Sequence, residues 1–251
     1  MANERVFNNR TENYDKGRPG YAEGVMELLF RDIVKSGDKI ADIGSGTGIF
    51  AKAFIERGFD VFCVEPNAEM QSQAVKIFGD NPHFVPISAS AEATTLPDYS
   101  VDLVTAASAF HWFDAEKFRV ECKRILKPNG IFFAVANSRD YNDPFTLRQH
   151  EICEKFCKNF TSLRHGLDKS IPKYEAFFGT AMKHAEFDYP LEYTKEKFIQ
   201  RSLSSSYAPE SGTENYQKYV EELWVLMNEF APTVEKITVP NVSVAYWGNL
   251  S

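Results

Sequence analysis

The sequence has no long apolar run, only four cysteines and no concentrated positive charge. A membrane-spanning helix needs about 20 mostly apolar residues, so we expect none here. Cys63 and Cys122 lie in apolar patterns typical of buried thiols in a reducing compartment, and the cysteine spacing is not that of a disulfide framework. A net charge of −7 disfavours a nucleic-acid partner. The polar first residues lack a signal-peptide core, so we expect a cytoplasmic protein.

Apolar β-type segments alternate with helical patterns over the first half of the 251 residues. This alternation predicts an α/β fold, a Rossmann-like doubly wound and mostly parallel sheet. Pro86 cannot donate to a strand ladder, which places the third strand at or near an edge. Strands are predicted at 39–43, 60–65, 83–88, 101–106 and 131–135, and helices at 21–34, 49–55, 68–78 and 115–126.

The strongest local signal is a glycine-rich turn after the first strand, with Asp42 before Gly44, Gly46 and Gly48. Glycine allows a sharp turn and a close approach of the backbone to a ligand. In doubly wound sheets such a turn lies at the carboxyl edge, where cofactors bind. A dinucleotide fingerprint would place its third glycine at Ile49, so an NAD-dependent oxidoreductase is a disfavoured alternative.

The second strand ends in an acid, Glu65, at about the offset from Gly44 expected for a ribose-binding carboxylate. A carboxylate there can accept hydrogen bonds from two neighbouring hydroxyls. NAD enzymes share this feature, so it supports a nucleoside ligand without choosing between cofactors. A solvated strand-end residue is the alternative interpretation of Glu65.

Further motifs follow in order at 14–21, 64–70, 90–97, 108–113 and 124–130, and together they resemble one family. With the turn Asp-Ile-Gly-Ser-Gly-Thr-Gly, they are similar to class I S-adenosylmethionine (SAM)-dependent methyltransferases of the "type 11" small-molecule group, near the trans-aconitate methyltransferase-like branch. The resemblance implies a seven-stranded sheet whose last strand is antiparallel. It also implies SAM as cofactor, S-adenosylhomocysteine as product and a small-molecule acceptor, with O, N and C atoms all open and a carboxylate among them.

The resemblance also implies which residues bind the cofactor. The N-terminal segment would fold over the site, with Tyr14 closing it and Arg18 pairing with the methionine carboxylate. Ser90 would lie by the adenine, where relatives often carry Asp. The full predicted cofactor set is Tyr14, Arg18, Asp42, Gly44, Ser45, Gly46, Gly48, Glu65, Pro66, Met70, Ser90, Ala91, Glu92, Ser108 and Trp112.

The segment after the fourth strand carries the candidate catalytic group. His111 could act as a general base or orient the acceptor, because imidazole titrates near neutrality. Trp112 could present a ring face to the positive sulfonium. The alternative is that both side chains pack the junction between strand and helix, just as Glu92 could be a solvated loop acid.

The second half of the chain is harder to interpret. We expect an N-terminal segment at 1–37, a core at 38–140 and 181–251, and an inserted helical lid at 141–180 whose aromatic and basic residues line an acceptor site or pack on the core. A strand is predicted at 183–189, helices at 194–204 and 213–230, and a strand at 243–247.

A metal site is not expected. His150, Cys153 and Cys157 share one helical face, but no fourth ligand follows at a motif spacing. A nucleic-acid methyltransferase is disfavoured by charge and by the residues after the fourth strand. A SAM-binding protein without catalysis would share every cofactor motif, so it stays an alternative. The oligomeric state is open.

Overall fold

The computed structural model describes residues 20–163, 171–205, 207–233 and 235–250, and these divide into two compact units. The first unit contains the described residues up to Asn137, 171–187 and 243–250. The second contains 138–163 and the described residues of 188–242. The two units do not follow the bounds expected for an insertion at 141–180. The described residues from 171 to 180 belong to the first unit, and the second unit continues to Val242.

A seven-stranded sheet forms the framework of the first unit. The strands of the described chain are β1 (Ile40–Ile43), β2 (Val61–Val64), β3 (Phe84–Ile87), β4 (Val101–Ala107), β5 (Leu126–Arg139), β6 (Lys183–Asp188), β7 (Leu191–Thr194), β8 (Lys236–Val239) and β9 (Asn241–Asn249). The sheet has the order β3-β2-β1-β4-β5-β9-β6. Strands β1 to β5 pair in parallel, and the last strand is antiparallel. The predicted fold is confirmed, including the edge position of β3 with its Pro86.

The helices are α1 (Glu23–Leu28), α2 (Lys52–Ile55), α3 (Ala68–Phe78), α4 (Ala115–Ile125), α5 (Pro144–Phe156), α6 (Ile171–Phe178), α7 (Lys195–Leu203) and α8 (Glu214–Phe230). A π-helical turn at Leu29–Ile33 extends α1. Two helices begin with a side-chain cap, because Asn67 accepts from the Met70 amide and Asp114 accepts from the Lys117 amide. In the described part of the chain, none of the helices combines the length and apolarity that crossing a membrane requires.

Two predicted boundaries are wrong. The helix after the glycine turn begins only at Lys52, because the left-handed glycines keep the preceding residues in turns. Strand β5 begins at Leu126 rather than after a separate turn. Val101 pairs with Leu126 and Leu103 with Ile131, so the residues between are looped out of the ladder as an irregularity.

The core of the first unit is aromatic. Phe110 is buried and stacks on Tyr174 at 4.6 Å between ring centroids. Phe177 lies between Phe118 and Phe132, at 5.5 and 4.9 Å. Residues of α6 that were candidates for an acceptor wall thus pack into the core of the sheet unit.

The second unit combines helices with a two-stranded sheet. Strands β7 and β8 are antiparallel, and the sequence did not predict either of them. Helices α7 and α8 confirm the predictions at 194–204 and 213–230. Its core includes Tyr219, Leu223 and Met227 from α8, packed with Phe198 of α7 and Ile152 of α5.

Candidate active site

The glycine turn is held against the end of β2. The amides of Gly44 and Ser45 both donate to the Val64 carbonyl, at 2.8 and 3.2 Å. Gly44 has φ +67°, and a Cβ built there would lie 2.7 Å from the Cβ of Ala109. Glycine is therefore required at position 44, both for its conformation and because β4 continues into a segment that touches it.

Gly46 has a different environment. It also has a positive φ, +57°, but a Cβ there would meet no atom closer than the Met70 sulfur at 3.8 Å. Its amide donates to Oε2 of Glu65 at 2.8 Å. The turn thus leaves room at Gly46 for a group in van der Waals contact with Met70, and at the same time it fixes the carboxylate beside it. Gly48, the third glycine, is buried against Phe78.

Glu65 is a buried carboxylate held on both oxygens. Oε2 accepts from the Gly46 amide and Oε1 from the Asn67 amide, each at 2.8 Å. Burial raises the pKa of Glu65, and these two bonds oppose the shift. Each carboxylate oxygen has two acceptor sites, so one on each oxygen is left for a ligand hydroxyl. Pro66, which follows, is exposed, and Met70 is buried.

Asp42 is buried at the end of β1, beside Thr105 of β4 in the parallel register. Its Oδ1 accepts from the Thr105 hydroxyl at 2.7 Å, whereas Oδ2 has no hydrogen-bond partner among the described residues. Burial raises the pKa of Asp42 to about 7; the Thr105 bond lowers it and the nearby Glu65 raises it. Thr105 was missed, although a lone hydroxyl in an apolar strand next to Asp42 was a usable signal.

The segment after β4 approaches the glycine turn through Ala109. Ser108 has φ +53°, and its hydroxyl lies 2.9 Å from the Tyr21 hydroxyl. A 3₁₀ turn, Phe110–Trp112, follows. His111 and Trp112 are both exposed, with their rings 4.8 Å apart. Phe110, not the His-Trp pair, packs the junction between strand and helix.

The loop after β3 is fixed to α4. Ser90 and Ala93 form an isolated antiparallel bridge, and Ala91 is buried. Glu92 accepts from the amide of Asp114 at 2.9 Å, so its side chain is bound at the start of α4.

A buried carboxylate on α4 fixes the same loop further along. Glu121 accepts from the amide and hydroxyl of Thr94, at 2.7 and 2.5 Å, and from two nitrogens of Arg124. No local pattern indicates this network, because Thr94 and Glu121 are 27 residues apart in the chain.

Some predicted residues cannot be placed in this site. Tyr14 and Arg18 lie outside the described residues. His150 belongs to the second unit, where its Nδ1 lies 2.9 Å from the Tyr141 hydroxyl. The Cys153 thiol lies 3.6 Å from the Tyr219 hydroxyl. Across 20–163, 171–205, 207–233 and 235–250, no three His, Cys, Asp or Glu side chains are grouped so that they could hold a metal ion.

Residues 41–134 match the family model described as "Methyltransferase domain". An uncharacterized methyltransferase of Mycobacterium tuberculosis is 34% identical over 134 residues, which is 53% of each chain. An uncharacterized methyltransferase of Geobacillus thermodenitrificans is 31% identical over 146 residues, or 54% of this chain and 67% of the relative. The match thus spans about half the length of the mycobacterial relative.

The fold is also similar to solved structures. A putative type II methyltransferase from Anaeromyxobacter dehalogenans matches with a TM-score of 0.68, at 20% identity, over 93% of this chain and 98% of that one. At this identity the likeness concerns the fold alone. It agrees with the seven-stranded mixed sheet described above.

Proposed function

This chain belongs to the class I SAM-dependent methyltransferase family, and we propose that it transfers the methyl group of SAM to a small-molecule acceptor. The observation that carries the proposal is the arrangement of Gly46 and Glu65. The first leaves room for a ligand group at a left-handed turn, and the second presents a fixed, buried carboxylate next to it.

The residues present fit SAM at this edge of the sheet. The free acceptor positions of Glu65 suit the two ribose hydroxyls. Oδ2 of Asp42, buried without a partner among the described residues, suits a polar or cationic group of the cofactor. Ser90 and Ala91 would border the adenine, and Tyr14 and Arg18 would close the site, as the family resemblance implies. When bound, SAM supplies an electrophilic methyl group on a positively charged sulfur.

The protein's contribution to transfer is to hold acceptor and methyl group in line. Ala109 contacts the glycine turn. His111 and Trp112 follow two and three residues later, and both are exposed to an incoming molecule. A carboxylate acceptor is already ionised and needs no base. A phenol or an amine needs one, and His111 is the candidate, with Trp112 offering a ring face to the sulfonium.

A pair of glycine variants tests the cofactor site. Gly46→Ala places a methyl group beside Met70, where the cofactor would lie, whereas Gly37→Ala has a similar positive φ, +87°, with nothing within 4 Å. We expect similar losses of stability from the two, but only Gly46→Ala should weaken SAM binding, by about tenfold or more, because it fills the ligand's space. Equal SAM affinities in the two variants would contradict this placement of the cofactor.

Turnover separates an enzyme from a SAM-binding protein without catalysis. A panel of carboxylic acids, phenols and amines is incubated with methyl-labelled SAM, and labelled product is measured. On the acceptor that reacts, His111→Ala should lower kcat if that acceptor needs a base. Full turnover of the variant would remove His111 from the mechanism, and label in no product despite SAM binding would favour the non-catalytic alternative.

A further inference from the structure

The second unit contains a guanidinium without an acidic partner in the described part of the chain. Arg139 is half-buried at the end of β5, and its Nη1 donates to Oδ1 of Asn241 at 3.2 Å. Its Cζ lies 6.0 Å from the centroid of the Phe198 ring. A charge removed from water is costly unless it is paired, and here the described residues give it one hydrogen bond, to an amide oxygen, and one ring contact.

The groups around Arg139 do not neutralise it. Burial, together with the neighbouring Arg201, lowers the pKa of Arg139 to about 10. The hydroxyls of Tyr193 and Tyr207 and the thiol of Cys153 act in the opposite direction. Arg201 lies with its Cζ 5.7 Å from the Tyr193 ring centroid. Two cations therefore face aromatic rings and a thiol, with no carboxylate among the described groups that act on Arg139.

A second observation concerns α5. The Thr146 hydroxyl and Oε1 of Gln149 are buried, at 0% and 2% exposure of their residues, and neither atom has a hydrogen-bond partner within the described ranges. Gln149 and Cys153 follow Thr146 by three and seven residues, so all three side chains lie on one face of α5. Cys153 is the thiol that raises the pKa of Arg139. A buried polar atom without a partner destabilises the fold, so a ligand or a water molecule is expected at each of these two atoms.

We propose that the second unit binds a small organic anion at Arg139, with Arg201, Thr146 and Gln149 as further polar contacts. The guanidinium offers two parallel N–H groups to a carboxylate or a phosphate. The Thr146 hydroxyl can donate, and the Gln149 amide can turn to present its NH₂ group. The nearby rings of Tyr193 and Phe198 suit an organic body next to the charged group. Every contact in this argument lies within the second unit, so the inference does not depend on the proposed methyl transfer.

The test uses the full chain without SAM at constant ionic strength. Inorganic phosphate, benzoate and uncharged benzamide are titrated by calorimetry, and the thermal midpoint is followed in parallel, because a ligand of the native state raises it. We expect phosphate or benzoate to bind in the millimolar range or below, and benzamide not to bind. Stronger binding of benzoate assigns the site to carboxylates, and stronger binding of phosphate assigns it to phosphates. Binding of neither anion, or equal binding of benzamide, would overturn the proposal.

Variants identify the residue. Arg139→Met should weaken anion binding about tenfold or more, since it removes the charged donors. Arg148→Gln on α5 is the matched control, because Arg148 already pairs with Glu151 and Glu222, and it should leave binding unchanged. Unliganded Arg139→Met should unfold at the same or a higher temperature, as expected when an unpaired charge is removed.

Unchanged affinity in Arg139→Met would refute the site. If that variant does not fold, the exposed Arg201→Gln replaces it and should weaken binding about threefold or more. Unchanged affinity in Arg201→Gln would then refute the site in the same way.

Discussion

Asp42 should make the first unit less stable as the pH rises from about 4 to about 7. Its carboxyl group is 1% exposed and keeps one oxygen without a partner among the described residues. Burial raises its pKa in the folded chain to about 7, from an ordinary value of 3.8. A group whose pKa is raised by folding holds its proton more tightly in the native state, so stability falls between about pH 4 and pH 7.

The size of the effect follows from the shift. At about 1.4 kcal/mol for each pKa unit, ionised Asp42 costs up to about 4 kcal/mol once the pH is well above 7. Asp42→Asn removes the charge and keeps an oxygen for the Thr105 hydroxyl. We expect the variant to gain stability relative to the natural chain by up to about 4 kcal/mol between pH 4 and pH 8.

The assay is urea unfolding at several pH values in that range, followed by circular dichroism. The slope of the unfolding free energy against urea concentration should be the same at each pH, which shows that one unfolding transition is compared. Glu56→Gln, which removes an exposed carboxylate paired with Lys52, is the control and should keep the natural pH dependence. If the free energy of unfolding of Asp42→Asn fell with pH as steeply as that of the natural chain, the buried Asp42 carboxyl would not be the source of the pH dependence and the reasoning would fail.

Two further predictions concern the framework of the site. Gly44→Ala should lose about 2 kcal/mol more stability than Gly37→Ala, because both positions have a positive φ but only the first places its Cβ against Ala109. Equal losses of stability in thermal unfolding would argue against this contact. Glu121→Gln should lower the free energy of unfolding by about 2 kcal/mol, since a buried carboxylate then no longer pairs with Arg124. The variant should also increase hydrogen exchange in the loop after β3, which Glu121 binds through Thr94. Unchanged exchange would show that other contacts hold the loop.

Local patterns in the sequence predicted the parallel half of the sheet well. The turn at Gly44, the caps Asn67 and Asp114 and the edge position of Pro86 each depend on residues close together in the chain. Propensity and spacing therefore suffice to locate them.

Other features depend on pairing between distant residues. Strands β7 and β8 are short and pair across more than 40 residues, so neither shows a pattern alone. The looped residues before Ile131 fall between a predicted helix and a predicted strand, because the register with β4 is not visible in the sequence of one strand.

The candidate site shows the same division. Glu65 and the glycines were predicted from their spacing, and the structure brings them into hydrogen-bond contact. Thr105 and the Glu121 network emerge only from the packing of strands and helices. Arg139 carries no sequence signal at all, because its lack of an acidic partner is a property of the folded second unit.

Calorimetric titration of the natural chain with SAM, S-adenosylhomocysteine and NAD tests the central claim most directly. Binding of the first two in the micromolar range, with none of NAD, is the predicted result, because Glu65 suits a ribose while the turn lacks the third glycine of a dinucleotide site. Binding of NAD, or a folded protein that binds neither SAM nor its product, would contradict the assignment of this turn to SAM.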